Sequence, residues 1–381
     1  MIRDTNIKID RDICIACGIC VDRCVMDNLR LSIAPCRQGC PLHINCQGVT
    51  KLIAKGKEAQ AADMLKNNLP FIEILGRLCH APCEKACARK KVDQPIHIRA
   101  MHRTIAKHTS NYNYDSFQPT ADKQTGKKVV LCGTGQAAMM AAWRLGLSGH
   151  QGVMLEPENE AGGALRDYNS MSAINAKAIG KLVNAITSIG IDLETDVEPP
   201  FFKELFNSYD AVILTYKDER ELSWILDHNS IDKKSFQIDP QTLQVIGQEK
   251  MFACRDLDGS KIRLVNALAA GKTASESVHR FLSGVPLMWE RDFWESKGNV
   301  KEYTAPIAGA KHVHDKNRLS KKQENNPAVK FDTREAIVYE AQRCLGCGRP
   351  FDANQTCWYC LPCELDCPTN AIEVRIPYML R

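Results

Sequence analysis

CRQGCPLHINC at residues 36–46 and CHAPCEKAC at residues 79–87 place six cysteines in two bursts. Between them, from Val49 to Pro70, the apolar residues Leu52, Ile53, Ala61, Ala62, Met64 and Leu65 recur at helical spacing. That pattern predicts a helical hairpin turning at Gly56, which folds the second burst back onto the first. Thiolates gathered in this way are the usual protein ligands of iron–sulfur cubes.

The rest of the chain repeats the signal. The whole chain contains 18 cysteines, of which all but Cys132 and Cys254 lie in three dense patches. Disulfides would predict scattered pairs and a secretory leader, and the opening MIRDTNIKID has no apolar stretch. The expectation is a cytoplasmic protein whose cysteines bind something. Zinc is the alternative that repeated C-x-x-C spacing leaves open. The charge balance, 50 basic against 45 acidic residues, gives nucleic-acid binding no electrostatic support. No apolar run is long enough to predict a membrane span.

Working outward, residues 6–32 hold Cys14-x2-Cys17-x2-Cys20-x3-Cys24 between the strand-like Ile7-Lys8-Ile9 and Leu29-Arg30-Leu31. Three thiolates two apart and a fourth after three is the ferredoxin run, which argues against a zinc ribbon. A second run, Cys357-x2-Cys360-x2-Cys363-x3-Cys367-Pro368, precedes AIEVRI near the other end. In two-cluster ferredoxins the fourth cysteine of each run ligates the other cube. The two ends are therefore expected to meet, with one cube on Cys14, Cys17, Cys20 and Cys367. The second cube would take Cys357, Cys360, Cys363 and Cys24. The alternative is that each run closes on its own cube.

The middle of the chain carries a dinucleotide fingerprint. A buried-strand run, Val129 to Leu131, leads into Gly133-x-Gly135-x-x-Ala138, which opens a helix running to about Leu147. A second strand, Val153 to Leu155, ends in Glu156, where an acidic group can accept ribose hydroxyls. The glycines permit close backbone approach, and the helix start, including Gln136 and Ala137, faces a pyrophosphate.

Three phrases give the chain a family. APCRQGCPLHIN, NNLPFIEILGRLCHAPCEKACARK and PIHIRAMHR resemble the N-terminal region of the glutamate synthase small-subunit family. That family includes part of dihydropyrimidine dehydrogenase and the large subunit of bifurcating ferredoxin:NADP transhydrogenases. The resemblance implies two cubes in the helical region, one with a non-cysteine ligand. Cys40, Cys79 and Cys83 would supply its thiolates, and the fourth-ligand position, Gln or Glu in relatives, falls at His102. The plainer alternative is that His102 is a polar helix residue. The other cube would use Cys36 and Cys87, completed in relatives by an upstream RCLxCG phrase. Here that phrase stands near the C-terminus as EAQRCLGCG, containing Cys344 and Cys347. About four 4Fe–4S cubes would then use fifteen cysteines and His102. Cys46, Cys132 and Cys254 are left over, with Cys46 an open alternative as ligand and Cys344 and Cys347 as members of the ferredoxin unit.

The same resemblance implies FAD on the fingerprint unit. Gly162-Gly163-Ala164-Leu165-Arg166 matches the family's GG-x-LR phrase, and the closing segment places Asp256 near the flavin ribityl chain. Arg255 stands where relatives have glycine, and no glycine follows DAVILT; both departures could add positive charge near the flavin. Relatives insert a nucleotide domain of about 100 residues between these segments. Lys217 to Lys250 supplies 34 residues without a second fingerprint, so NAD(P)H has no expected site.

The expected architecture is α/β plus helical: a ferredoxin half (1–33), a helical iron–sulfur domain (34–110) and a linker (111–127). A Rossmann-like FAD domain without the NAD(P)H insertion (128–283), a basic connector (284–340) and a second ferredoxin half (341–381) follow. Trp143, Trp224, Trp289 and Trp294 read as packing residues, and Trp358 and Tyr359 as shields for a cube. No constellation for substrate catalysis is present. The resemblance implies an electron-transfer subunit of an anaerobic oxidoreductase, partnered by a formate dehydrogenase, hydrogenase or aldehyde oxidoreductase. Ferredoxin or another flavin subunit would exchange electrons with it in a hetero-oligomer. The competing expectations are a self-sufficient NAD(P)H-dependent oxidoreductase and a scaffold with a vestigial flavin domain.

Overall fold

The structure, a computed structural model, describes residues 6–26, 29–66, 69–109, 124–166, 176–256, 264–289, 334–352 and 357–376. Most of the linker, the basic run Lys311 to Lys322 and Trp294 lie outside them. The described strands are β1 (Ile7–Ile9), β2 (Leu29–Ser32), β3 (Lys128–Cys132), β4 (Gln151–Leu155), β5 (Ile191–Glu194), β6 (Ala211–Tyr216), β7 (Met251–Arg255), β8 (Arg349–Asp352) and β9 (Ile372–Val374). The chain divides into two compact units, one of residues 1–72, 81–110 and 291–381, the other of residues 73–80 and 111–290.

In the first unit, strands from opposite ends of the chain pair with each other. β1 runs antiparallel to β9, with Ile7 opposite Val374, and β2 antiparallel to β8, with Leu29 opposite Asp352. Period-two alternation turns Ile7, Ile372 and Val374 into a core shared with Val21, Leu29 and Leu31. Lys8 and Glu373 face outward as an exposed ion pair. Arg23 Nε adds a 2.7 Å contact to Asp366 Oδ2, joining the two cysteine runs.

The helical hairpin lies beside this core in the same unit. Helices Cys46–Ala54 and Glu58–Lys66 are joined at Gly56, whose φ of 69° lies in the left-handed region that glycine adopts without strain. Asn45 caps the first helix, its side chain accepting the Gly48 N–H at 3.0 Å. Val49, Leu52 and Ile53 on one helix and Ala61, Ala62 and Leu65 on the other are buried, matching the apolar spacing apart from the half-buried Met64. Helix Arg334–Gln342 packs on the first of these helices, and Arg334 Nε pairs with Glu58 Oε1 at 2.7 Å.

The second unit is a five-stranded parallel sheet in the order β5-β4-β3-β6-β7. Helix Gln136–Leu147 follows β3, and helix Leu264–Leu282 crosses it so closely that a Cβ on Gly271 would meet the Ala137 carbonyl at 2.1 Å. Between β6 and β7, where relatives were expected to insert a domain, the chain forms one helix, Glu219–His228, and a short turn region with two isolated bridges. Trp143 is fully buried, as a packing residue should be. Trp224, Trp289 and Trp358 are instead 53%, 58% and 70% exposed, which corrects their reading as packing or shielding side chains. Tyr359 is half-buried, its hydroxyl accepting from Asn6 Nδ2 at 2.7 Å.

Candidate cluster and flavin sites

Each ferredoxin run wraps its thiols in a loop that needs left-handed backbone. In the first run the second and fourth residues after Cys14, Ala16 and Gly18, have φ of 51° and 94°. In the second run Tyr359 and Leu361, at the same offsets from Cys357, have φ of 57° and 70°. These turns aim backbone N–H groups at sulfur: Ala16 donates to Cys14 Sγ at 3.4 Å, Tyr359 to Cys357 Sγ at 3.5 Å, and Ala371 to Cys367 Sγ at 3.2 Å. Such bonds favour the thiolate form.

The thiols are gathered across the two runs. Cys14, Cys17, Cys20 and Cys367 line one apolar cavity, walled by Ile15, Pro368 and Ile372. Cys363 has Cys24, Cys357 and Cys360 as its charged neighbours, and burial followed by their like charge pushes its thiol up to about 11. Burial and the surrounding Cys17, Cys14, Cys367 and Cys363 likewise raise Cys20 well above the ordinary thiol range. Thiols packed this way ionise together only when cationic metal offsets their repulsion, so the donor set fits a cluster. Among the described residues no three His, Cys, Asp or Glu converge on the point a single bound ion would need.

A second apolar cavity is lined by Cys36, Cys87, Cys344 and Cys347, with Pro35, Leu345 and Ile96. What brings the distant RCLGCG phrase here is a buried charge network. Arg343 donates to both Glu340 oxygens at 2.6 Å, to Asp93 Oδ1 at 2.9 Å and to the Gln94 carbonyl. Arg89 grips the other side of Asp93 at 2.8 Å and donates to the Arg343 carbonyl at 3.0 Å. His97 completes it, with Nδ1 2.9 Å from Glu340 Oε1. Burial alone would raise Asp93, but hydrogen bonds from Arg89, the Gln94 N–H and Arg343 outweigh it and hold the carboxyl well below the usual range.

Replacing Arg343 by methionine leaves carboxylates buried without this partner, with an expected loss of about 3 kcal/mol in urea unfolding. Because the Asp93 value is depressed in the folded state, the network's stabilisation is present above the ordinary aspartate value of 3.8 and fades as pH falls below it.

Cys40 and Cys83 share the company of Cys46, whose side chain also meets Cys36. Hydrogen bonding to Cys46 pulls the Cys40 thiol down, burial opposes this, and the N–H groups of Ile44, Leu42 and His43 reinforce it. His102 is buried on helix Ile98–Thr109, and its Nε2 has no hydrogen-bond partner. An orphaned buried imidazole nitrogen suits a metal donor. Cys79 follows helix Ile72–Leu78, and its N–H is bonded to the Leu75 carbonyl. Lys51 acts on both Cys14 and Cys344, and Arg37 on Cys17, Cys46 and Cys36. A cation between two cubes stabilises their reduced, more negative states. Lys51→Gln should therefore lower both potentials by tens of millivolts, from about 1 kcal/mol or less for a partly exposed charge; a redox titration followed by EPR would measure it.

In the second unit a cleft of about 230 Å³ opens at the carboxyl ends of β3, β4, β6 and β7, where ligands bind in open parallel sheets. Gly133, Gly135, Glu156, Gly163 and Asp256 line it. Gly133 has φ of 105°, and a Cβ there would meet Thr215 Oγ1 at 2.4 Å. Thr134, which the sequence reading passed over, donates to Glu156 and accepts the Gly162 N–H at 3.0 Å, tying the GG-x-LR phrase to the glycine loop. Asp256 Oδ1 accepts the Ala137 N–H at 2.6 Å, so its carboxyl sits directly on the helix start. Burial pushes this carboxyl up to about 7, against the pull of the Ala137 N–H.

Gln136, Ala137, Ala138, Gly162 and Leu165 are buried behind the lining. Arg166 pairs with Glu160 at 3.4 Å, and Arg255 Nε donates to the Lys217 carbonyl at 3.4 Å; neither lines the cleft. Thr215, Trp224 and Glu221 do, and none of them was expected from sequence to line a site. The glycine cradle and the acid after β4 fit a dinucleotide, and Asp256 caps the helix start beside them.

Comparison with known proteins finds similar iron–sulfur and oxidoreductase chains. Residues 20–114 match the family described as dihydropyrimidine dehydrogenase domain II, 4Fe-4S cluster. The chain is 28% identical over 187 residues to the NADPH-Fe(3+) oxidoreductase subunit beta of Geobacter sulfurreducens, covering 48% of this chain and 28% of that one. It is 28% identical over 211 residues to the NADP(+)-dependent formate dehydrogenase subunit beta of Moorella thermoacetica, covering 48% and 29%. The glutamate synthase [NADPH] small chain of Bacillus subtilis is 26% identical over 245 residues, covering 63% and 49%. The chain thus spans less than half the length of each of these relatives. Homologues of the chain are the glutamate synthase small chain and beta subunits of oxidoreductases, and 4Fe–4S clusters and FAD are upheld as its cofactors. Among the described residues no helix is long and apolar enough to cross a membrane.

Proposed function

We propose that this protein is an electron-transfer subunit of an oxidoreductase complex, relaying electrons between FAD and about four 4Fe–4S cubes to a catalytic partner. One observation carries the reading: β1 with β9 and β2 with β8 join cysteine runs from the two ends of the chain, and Cys367 lines a cavity with Cys14, Cys17 and Cys20. On this reading one ferredoxin cube takes those four thiolates and the other takes Cys357, Cys360, Cys363 and Cys24. A third takes Cys36, Cys87, Cys344 and Cys347. The fourth takes Cys40, Cys79 and Cys83.

FAD, when bound, converts two-electron exchange into single-electron transfers. The chain's own residues hold and shield: Gly133 and Gly135 let backbone approach the phosphates, Glu156 receives a ribose, and apolar walls of Ile15, Ile96 and Leu345 keep water from the thiolates. Lys51 and Arg37 offset charge in the path from the ferredoxin cube to the helical cube. The segment from Lys217 to Lys250, reduced to one helix and a turn region, supports exchange with protein partners in place of NAD(P)H. A formate dehydrogenase, hydrogenase or aldehyde oxidoreductase is the partner class this arrangement suits, with ferredoxin or another flavin subunit at the other end.

The test is anaerobic absorbance of the purified chain. Reduced ferredoxin should bleach flavin and cluster bands, while NADH and NADPH leave them unchanged. Bleaching by either nicotinamide would establish the self-sufficient alternative.

A further inference from the structure

We infer that Cys46 is a thiolate donor to the cube that Cys40 and Cys83 help to hold, so that this cube keeps a full set of protein ligands without His102. The inference rests on the helical region being a cluster domain. Cys46 is 0% exposed and begins helix Cys46–Ala54. Its backbone is fixed from both sides: Asn45 caps the helix through Gly48 N, and Asn45 Nδ2 donates to the Ile15 carbonyl at 3.1 Å. The helix is therefore anchored to the first ferredoxin loop, and the thiol cannot swing away with a loose end.

Held there, the side chain contacts the thiols of Cys36, Cys40 and Cys83. A cysteine kept only for packing behaves as a small hydrophobe among apolar neighbours. Cys46 has cluster thiols for neighbours. Cys36 already shares its cavity with Cys87, Cys344 and Cys347, which leaves Cys46 to the set of Cys40 and Cys83. Nothing in the ferredoxin spacing or the RCLGCG phrase required this residue. Coordination would form one iron–sulfur bond, release the thiol proton to solvent and move no electrons.

The experiment uses the full chain, purified anaerobically, with iron and sulfide content and EPR as readouts. His102→Ala should keep the wild-type iron content and show no [3Fe–4S] signal. Adding Cys46→Ser to that variant should remove at least one iron per chain and produce a [3Fe–4S] signal or the loss of one cube, while the ferredoxin cubes' signals persist and show the fold intact. Loss in the Cys46→Ser single variant would equally support the inference. The inference is overturned if the double variant matches wild type, or if His102→Ala alone already shows the full loss and Cys46→Ser changes nothing in either background. Wild-type protein with only the two ferredoxin-type cubes would remove the cluster-domain reading along with it.

Discussion

Cys367→Ser should abolish the same EPR signal that Cys14→Ser abolishes, and Cys24→Ser should abolish the one lost in Cys357→Ser. Each variant is expected to lose one cube of about four irons, a drop of about a quarter in total iron, or to leave a [3Fe–4S] remnant, a drop of about one iron in sixteen. The reason is the crossing of the two runs. Cys367 lies in the cavity of Cys14, Cys17 and Cys20, while Cys363 has Cys24 beside Cys357 and Cys360. Paired strands from both ends hold this crossing in register, and the Arg23–Asp366 contact sits where the fourth cysteines change sides. If each run closed on its own cube, Cys367→Ser would instead match Cys357→Ser. The pairing of phenotypes, read from signals recorded at several potentials, decides between the two.

FAD affinity should fall as pH rises above about 7, close to tenfold per pH unit, and Asp256→Asn should flatten the profile. The Asp256 carboxyl occupies the helix start that a dinucleotide phosphate also uses, accepting the Ala137 N–H at 2.6 Å. Held up to about 7 by burial, it is largely neutral below that value and anionic above it. An anion there repels the incoming phosphates, so binding takes up one proton at alkaline pH. Two pH units above the titration correspond to about a hundredfold, or roughly 2.7 kcal/mol. The unbound protein follows the same sign. A carboxyl raised in the folded state favours folding least when ionised, so stability should decline from the ordinary aspartate value of 3.8 up to about pH 7. Fluorescence titration of FAD against pH in both proteins measures the slope; equal slopes would show that Asp256 does not couple to the phosphates.

What the sequence made legible follows from local rules. The hairpin turning at Gly56, the glycine loop after β3 and the acid after β4 are dictated by short-range periodicity and backbone freedom, and the structure shows all three. The pairing of β1 with β9 was legible because the two cysteine runs share one spacing. Other features depend on side chains that meet only after folding. Cys46 stood in the first burst as an open alternative, but its neighbours Cys36, Cys40 and Cys83 lie on different elements, so spacing alone assigned it to no cube. Trp224 read as a packing residue because tryptophan is highly buried on average, yet its helix lines a cleft and leaves the ring exposed. Thr134 was masked by the glycines on either side of it. The charge network of Arg89, Asp93, Glu340 and Arg343 is spread over distant positions, and no local pattern marks it.

The most direct test of the account is the iron, sulfide and FAD content of the anaerobically purified chain, with clusters resolved by EPR. The account predicts about sixteen irons with matching sulfide and about one FAD per chain. Eight or fewer irons, or no stoichiometric FAD in a protein full of iron, would contradict it.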